Sequence, residues 1–289
     1  MKIVTDSGTD LCLTEEQRAE LDINVVPLVV TIGDKSYREG VDIKPDEFYR
    51  LMEASSSMPT TSQPAVGDFA DTYRRLAQTD PDILSIHMSS GLSGTYDSAR
   101  LAAQLAPEAN VMHIDAKTLS AAAGWQVKEA ARALKAGWSK EHVLALIERI
   151  KGASDSIYTL KELKYLIHGG RISHMKGLIA SVLNIKPLIG VEKEKGTYVQ
   201  LGQVRTFEKA IQGMVDLVAR KQAPGSSLRT QVLHAQNPEG AAMLRDLMDK
   251  RFKCSWLPIG KLSLVLGAHT GPSMVGLAYA TSDAFTAVP

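Results

Sequence analysis

The order of segments between residues 83 and 134 narrows the fold most. Ile83 to Met88 reads as a strand, Ser89 to Thr95 as a loop of hydroxyls and glycines, and Ser98 to Leu105 as a helix. Val111 to Ile114 is a strand again, and the alanine-rich stretch Ala121 to Leu134 a helix. Strands that alternate with helices at this spacing need crossover connections, and those build a parallel sheet with helices on its faces. The upstream segments fit the same plan. Lys2 to Val4 opens a strand, and Thr14 with Gln17 fits a capping box. Val25 to Ile32 is a β-branched run that ends at Gly33 and Asp34, a strand into a hairpin turn. Pro45 to Ala54 reads as a helix, and Val66 to Leu76 as another with Phe69, Tyr73 and Leu76 on one face.

The pattern changes after the helix Glu141 to Ile150, whose N-cap is Ser139. A small, polar stretch from Lys151 to Asp155 interrupts it, and we place a domain boundary there. Beyond it come a strand Ile157 to Leu160, a helix Glu162 to Ile167 closed by Gly169 and Gly170, and a helix Lys176 to Leu183. Ile185 to Val191 and Tyr198 to Val204 form a hairpin around Lys195 and Gly196. A helix Glu208 to Arg220, a strand Gln231 to Ala235, a helix Ala241 to Arg251 and a terminal pair of segments, Leu262 to Leu266 and Met274 to Tyr279, complete the chain. With 289 residues and 44% hydrophobic content, two cores are expected. The expected fold is α/β in two domains. Residues 1–153 form an α/β/α domain with a mainly parallel sheet, and residues 154–289 an α+β domain with a largely antiparallel sheet.

Two loops concentrate the chemistry: Pro59, Thr60, Thr61, Ser62, Gln63, Pro64, and Ser89, Ser90, Gly91, Leu92, Ser93, Gly94, Thr95. Each precedes a helical segment, where hydroxyls and backbone amides meet the positive end of a helix dipole. The second also follows the carboxyl end of a strand, where open α/β sheets hold ligands. One reading is an anion trap for a carboxylate or phosphate. The other is that the same residues cap helices and make turns.

Composition removes several classes. A formal net charge of +1 supplies no basic field for nucleic acid. Cys12 and Cys254 give neither a disulfide framework nor a metal set. His168 and His174 have no acidic neighbour at zinc-motif spacing, and no P-loop occurs. The chain starts without an apolar signal region and has no run long enough to span a bilayer, so a cytoplasmic, soluble protein is expected.

Ser93 stands where a nucleophile elbow places its serine, and His269 lies downstream. A serine-dependent hydrolase or acyltransferase is therefore the competing class. The elbow pattern G-x-S-x-G fails at its last position, where Thr95 stands, and no aspartate is identifiable as the third member. Asp6, Ser7, Gly8 and Thr9 end the first strand but lack the aspartate arrangement of an aspartyl phosphotransferase, so Asp6 and Asp10 are read as capping and orienting loops. Arg171 and Arg205 each suit pairing with an anion or solvation at the surface.

In order, Ile3 to Asp6 with Ser7 and Asp10, the Pro59 to Pro64 loop, Ser89 to Tyr96, Gly169 to Ser173, Leu183 to Pro187 and His269 to Gly276 resemble the motif series of the DegV family. The resemblance covers nearly the whole chain. Members are bacterial fatty-acid-binding proteins of two α/β domains, and some present lipid to a separate fatty acid kinase subunit that supplies the catalysis. The resemblance implies that Thr61 and Ser93, with Ser62, Gly94 and His269 beside them, hold the carboxylate of a long-chain fatty acid. It places the tail in an inter-domain tunnel, with Leu178, Ile179, Val182 and Leu183 as wall, and puts Arg171 and Arg205 at the rim or at a kinase docking face. It implies a non-catalytic carrier with no cofactor or metal, and at most transient membrane contact. One departure stands out: Asp115, Ala116 and Ala121 to Ala123 occupy positions where relatives carry an Asp-Ser pair and further small polar residues.

Overall fold

The computed structural model describes residues 1–175 and 185–286. In the N-terminal half the elements run β1 (Lys2–Asp6), α1 (Glu15–Glu20), β2 (Ile23–Val26), β3 (Val29–Ile32), β4 (Lys35–Arg38), α2 (Pro45–Ala54) and β5 (Thr60–Ser62). They continue as α3 (Val66–Ala77), β6 (Asp82–His87), α4 (Thr95–Gln104), β7 (Asn110–Asp115), α5 (Ser120–Lys135) and α6 (Lys140–Ala153). Strands β2-β1-β6-β7 make a four-stranded sheet, parallel throughout. The capping box at α1 forms as expected: Thr14 Oγ1 accepts the Gln17 amide at 3.2 Å and Gln17 Oε1 accepts the Thr14 amide at 3.0 Å.

The run Val25 to Ile32 is not one strand. Pro27 has no amide to give a ladder, and there the chain leaves β2 of the parallel sheet and enters β3 of a separate antiparallel sheet, β4-β3-β5. The hairpin at Gly33, whose φ is +59°, joins β3 to β4. The Pro59 to Pro64 segment is likewise no plain loop. Its centre is β5, paired antiparallel with β3 so that Thr61 stands opposite Val30. Helix α4 starts three residues ahead of the expected Ser98.

The C-terminal half runs β8 (Asp155–Thr159), α7 (Lys164–His168), β9 (Lys186–Val191), β10 (Tyr198–Val204), α8 (Phe207–Lys221), β11 (Ser227–His234) and α9 (Pro238–Asp249). β12 (Lys253–Trp256), β13 (Gly260–Lys261), α10 (Leu264–Thr270) and β14 (Val275–Thr281) follow. The sheet order is β10-β9-β8-β14-β11-β12, antiparallel except where β11 meets β12 and β13. The segment Leu262 to Leu266 leads into a helix, since a short apolar run does not distinguish a strand from a buried helix. The expected helix Lys176 to Leu183, with Leu178, Ile179, Val182 and Leu183, lies outside the described residues apart from its flanks.

Helix α5 is buried from Ser120 to Ala131 because it is sandwiched. Its Ala121, Ala122, Trp125 and Ala130 pack with Ile3 and Ile86 of the parallel sheet and with Leu233, Ala278 and Ala280 of the other. Small side chains let a helix approach two sheets closely, which accounts for alanines at 121–123 without reference to a ligand. A second apolar cluster also crosses between the halves, joining Leu28, Met88, Leu92 and Leu119 to Tyr158, Leu166, Ile189 and Tyr198.

Candidate functional site

Four of the expected site residues meet at one small cavity inside this second cluster. Thr61, Ser93, Arg171 and His269 line it, with Leu28, Met88, Leu92 and Leu119 from the N-terminal half and Tyr198 and Val265 from the C-terminal half. Its volume is about 30 Å³. It adjoins an open groove of about 340 Å³ bordered by Ser90, Ser93, Gly94, Gly170 and Arg171. The apolar wall residues carry no polar motif, and only the long-range pairing of the two halves reveals them.

Two structural routes bring the hydroxyls together. Ser93 sits just ahead of α4, where its Oγ accepts the Thr95 amide at 3.3 Å and lies 2.8 Å from Thr95 Oγ1. Thr61 arrives instead from β5, at no helix terminus. Gln63 ties the two arms, its Nε2 donating to Ser98 Oγ on α4 at 3.1 Å. The hairpin tip between β9 and β10 braces the serine loop from the other half: a Cβ on Gly196, which has φ +69°, would fall 1.9 Å from Ser89 Oγ.

His269 is 8% exposed, with Nε2 2.7 Å from Thr61 Oγ1. Its Nδ1 is buried without a hydrogen-bond partner among the described residues. The backbone at Gly169 covers it, since a Cβ there would stand 2.0 Å from Nδ1. Burial, helped by the charge of Arg171, pushes the imidazole down to about 4, so it is neutral at physiological pH. An unpartnered buried acceptor is tolerated better than an unpartnered N–H. That favours a bare Nδ1 and a proton on Nε2, donated to Thr61 Oγ1. The Thr61 hydroxyl hydrogen then points elsewhere. Arg171 donates from Nη1 to the Gly169 carbonyl at 2.7 Å and keeps its other donors.

The remaining expected residues stand differently. Ser62 is exposed, because neighbours on a strand face opposite sides and Thr61 takes the inward one. Gly94 borders the outer groove rather than the cavity. Arg205 is exposed past the end of β10 and lines neither space.

Ser93 and His269 do not form the pair a hydrolase needs: the serine bonds Thr95, the imidazole bonds Thr61, and no carboxylate holds Nδ1. A serine–histidine–aspartate row exists elsewhere. Ser85 Oγ is 2.6 Å from His87 Nε2, and His87 Nδ1 is 3.0 Å from Asp6 Oδ2. All three are fully buried, and Tyr73 Oη seals the row at 2.8 Å from Ser85. No substrate reaches it. Asp6 also accepts the Gly8 and Met88 amides, so the row anchors the turn after β1 and the entry to the Ser93 loop.

Among the described residues no group of three or more His, Cys, Asp or Glu can hold a metal, and no helix is long and apolar enough to cross a membrane. The model of the DegV family, described as uncharacterised, matches residues 1–282. The chain belongs to the DegV family. A DegV domain-containing protein of Halalkalibacterium halodurans is 33% identical over 278 residues, spanning 96% of this chain and 97% of its own. The solved fatty-acid-binding DegV protein of Thermus thermophilus superposes with a TM-score of 0.87 at 31% identity, covering 97% of this chain and 99% of that one. A stearic-acid-binding protein of Eubacterium ventriosum superposes with a TM-score of 0.81 at 27% identity, over 97% and 98% of the two chains. DegV structures thus bind fatty acids, and this chain shares their α/β fold.

Proposed function

We propose that this chain is a non-catalytic, cytoplasmic carrier that binds a long-chain fatty acid between residues 1–153 and 154–289 and presents its carboxylate to a separate fatty acid kinase. The supporting observation is the convergence of Thr61, Ser93, His269 and Arg171 on one cavity with apolar walls drawn from both halves. With Thr61 accepting a hydrogen bond from His269, and Ser93 accepting from the Thr95 amide and the Thr95 hydroxyl, both the Thr61 and Ser93 hydroxyl hydrogens are left to donate to a carboxylate. Arg171 supplies the positive charge that a buried carboxylate needs. Gly94 and the groove beside it form the exit through which the head group meets a partner.

An acyl chain exceeds the cavity volume, so it enters by parting the seam of aliphatic side chains between the halves. Each buried methylene contributes about 0.8 kcal/mol. Hydroxyl donors suit this task because they add no charge of their own to the empty cavity, and Arg171 is only half-buried and bonds the Gly169 carbonyl.

Mass spectrometry of lipid released from the denatured protein, beside a Thr61→Ala, Ser93→Ala variant, tests the reading. A fatty acid in the native protein and little in the variant is the expected result. No retained fatty acid and no uptake of added palmitate defeats the carrier. Ser93-dependent ester turnover without a partner would replace it with the hydrolase.

A further inference from the structure

Two carboxyl groups of the N-terminal half grip the start of α10, the helix that carries His269 in its last turn. Asp10 Oδ1 accepts the Ser263 amide at 2.8 Å, and its Oδ2 accepts the Ser120 hydroxyl at 2.5 Å. Glu39 Oε1 accepts the Leu264 amide, and its Oε2 accepts the Ser7 hydroxyl at 2.7 Å. Ser263 precedes the helix, yet its own side chain makes no capping bond. Asp10 and Glu39 therefore satisfy, from another part of the chain, amides that a local cap usually satisfies.

The grip reaches both walls of the cavity. Ser7 Oγ, held by Glu39, accepts the Leu28 amide at 3.0 Å, and Leu28 lines the cavity. On the other side, α10 contributes Val265 and His269 to the same space. We propose that Asp10 and Glu39 are positioning residues for the fatty-acid site, clamping the start of α10 so that His269 stands against Thr61. The proposal deepens the carrier reading and rests on it.

Burial favours the uncharged form of both carboxyls. Burial outweighs the hydrogen bonds and pushes Asp10 up to about 7 and Glu39 up to about 8, with Asp6 adding to both. In an opened joint each returns to the ordinary carboxyl range near about 4. The closed joint then holds more protons between those limits, and its stability falls as pH rises until Glu39 has ionised. His269 acts in the opposite sense between about 4 and its ordinary 6.5, so the interval from 6.5 to 8 isolates the carboxyls.

Other groups face the clamp. Tyr49 of α2 and Tyr158 of β8 are both raised by burial and stay protonated. Cys12 is pushed up to about 12, while Arg18, Glu15 and Lys261 border the outer cleft. Lys128 of α5, buried and pushed down to about 8, is the neighbour that changes charge near the top of the interval.

The test measures palmitate affinity from pH 6.5 to 8.5 in the full chain and in Asp10→Asn, Glu39→Gln, their double variant and Glu39→Ala. Amide hydrogen exchange at Leu264 is followed in the ligand-free proteins, as a rate relative to the intrinsic one, which rises with pH for any amide. The native protein should lose affinity several-fold up to pH 8 and level off above, with Leu264 exchange quickening in parallel. Asn and Gln mimic the protonated carboxyls, so each should flatten the profile, whereas Glu39→Ala should weaken binding at every pH. A pH slope that persists in the double variant belongs to Lys128 and overturns the proposal, as does native affinity in Glu39→Ala. If palmitate fails to bind the native chain at any pH, the carrier reading falls. Leu264 exchange that is indifferent to Glu39→Gln and to pH overturns the clamp by itself.

Discussion

His87 and His269 are both buried, and their surroundings differ in a way that separates scaffold from site. His87 has a partner on each nitrogen, Ser85 and Asp6, with all three side chains at 0% exposure. His269 has one partner, Thr61, and an orphaned Nδ1 facing backbone. A fully satisfied buried network rigidifies its region and offers a ligand nothing. A half-satisfied one keeps hydrogen-bonding capacity in reserve, which a ligand in the same cavity can draw on. The serine–histidine–aspartate row is thus structural, and the incomplete cluster is the site we propose.

Substitutions should split the two regions. Asp6→Ala strands His87 and the Met88 and Gly8 amides, and urea unfolding should show a loss of about 3–5 kcal/mol. A loss below about 1 kcal/mol would erase the contrast. Thr61→Ala leaves the buried His269 Nε2–H unpaired, so it should cost about 1–3 kcal/mol in urea unfolding, less than Asp6→Ala, while weakening palmitate by roughly ten- to hundredfold, the worth of a hydrogen bond to a charged group. His269→Ala should cost roughly tenfold in affinity with under about 1 kcal/mol in stability, because it deletes an unsatisfied group along with the Thr61 contact. Gly196→Ala should cost about 1 kcal/mol or more through its positive φ and the Ser89 contact, read by thermal melting. Arg205→Ala should change neither stability nor affinity beyond about 0.5 kcal/mol, since the side chain is exposed and remote from the cavity.

The serine arm of the site was legible in sequence because a strand, a glycine–hydroxyl loop and a helix follow one another within a few residues. The threonine arm was legible as a motif but not in its shape. Four residues between prolines are too few to show alternation, and β5 exists through its pairing with β3, about thirty residues upstream. That pairing also explains why Thr61 turns inward and Ser62 outward. Asp10 was read as an orienting cap, whereas Glu39 carried no local signal, since its partners Ser7 and Leu264 lie far away in sequence. The split of Val25 to Ile32 at Pro27 and the helix at Leu264–Thr270 were hidden for a related reason: short apolar runs take their conformation from what they pack against.

That Thr61 and Ser93 hold the fatty-acid carboxylate is the central claim, and palmitate labelled with ¹³C at its carboxyl carbon tests it directly. Bound to the native protein, the label should give one resonance that keeps its ionised position from about pH 7 down through the ordinary carboxyl range. In the Thr61→Ala, Ser93→Ala variant it should titrate in the ordinary carboxyl range. A native-protein resonance that titrates like the free acid, or one that the paired substitution leaves unmoved, would contradict a carboxylate held by these two hydroxyls.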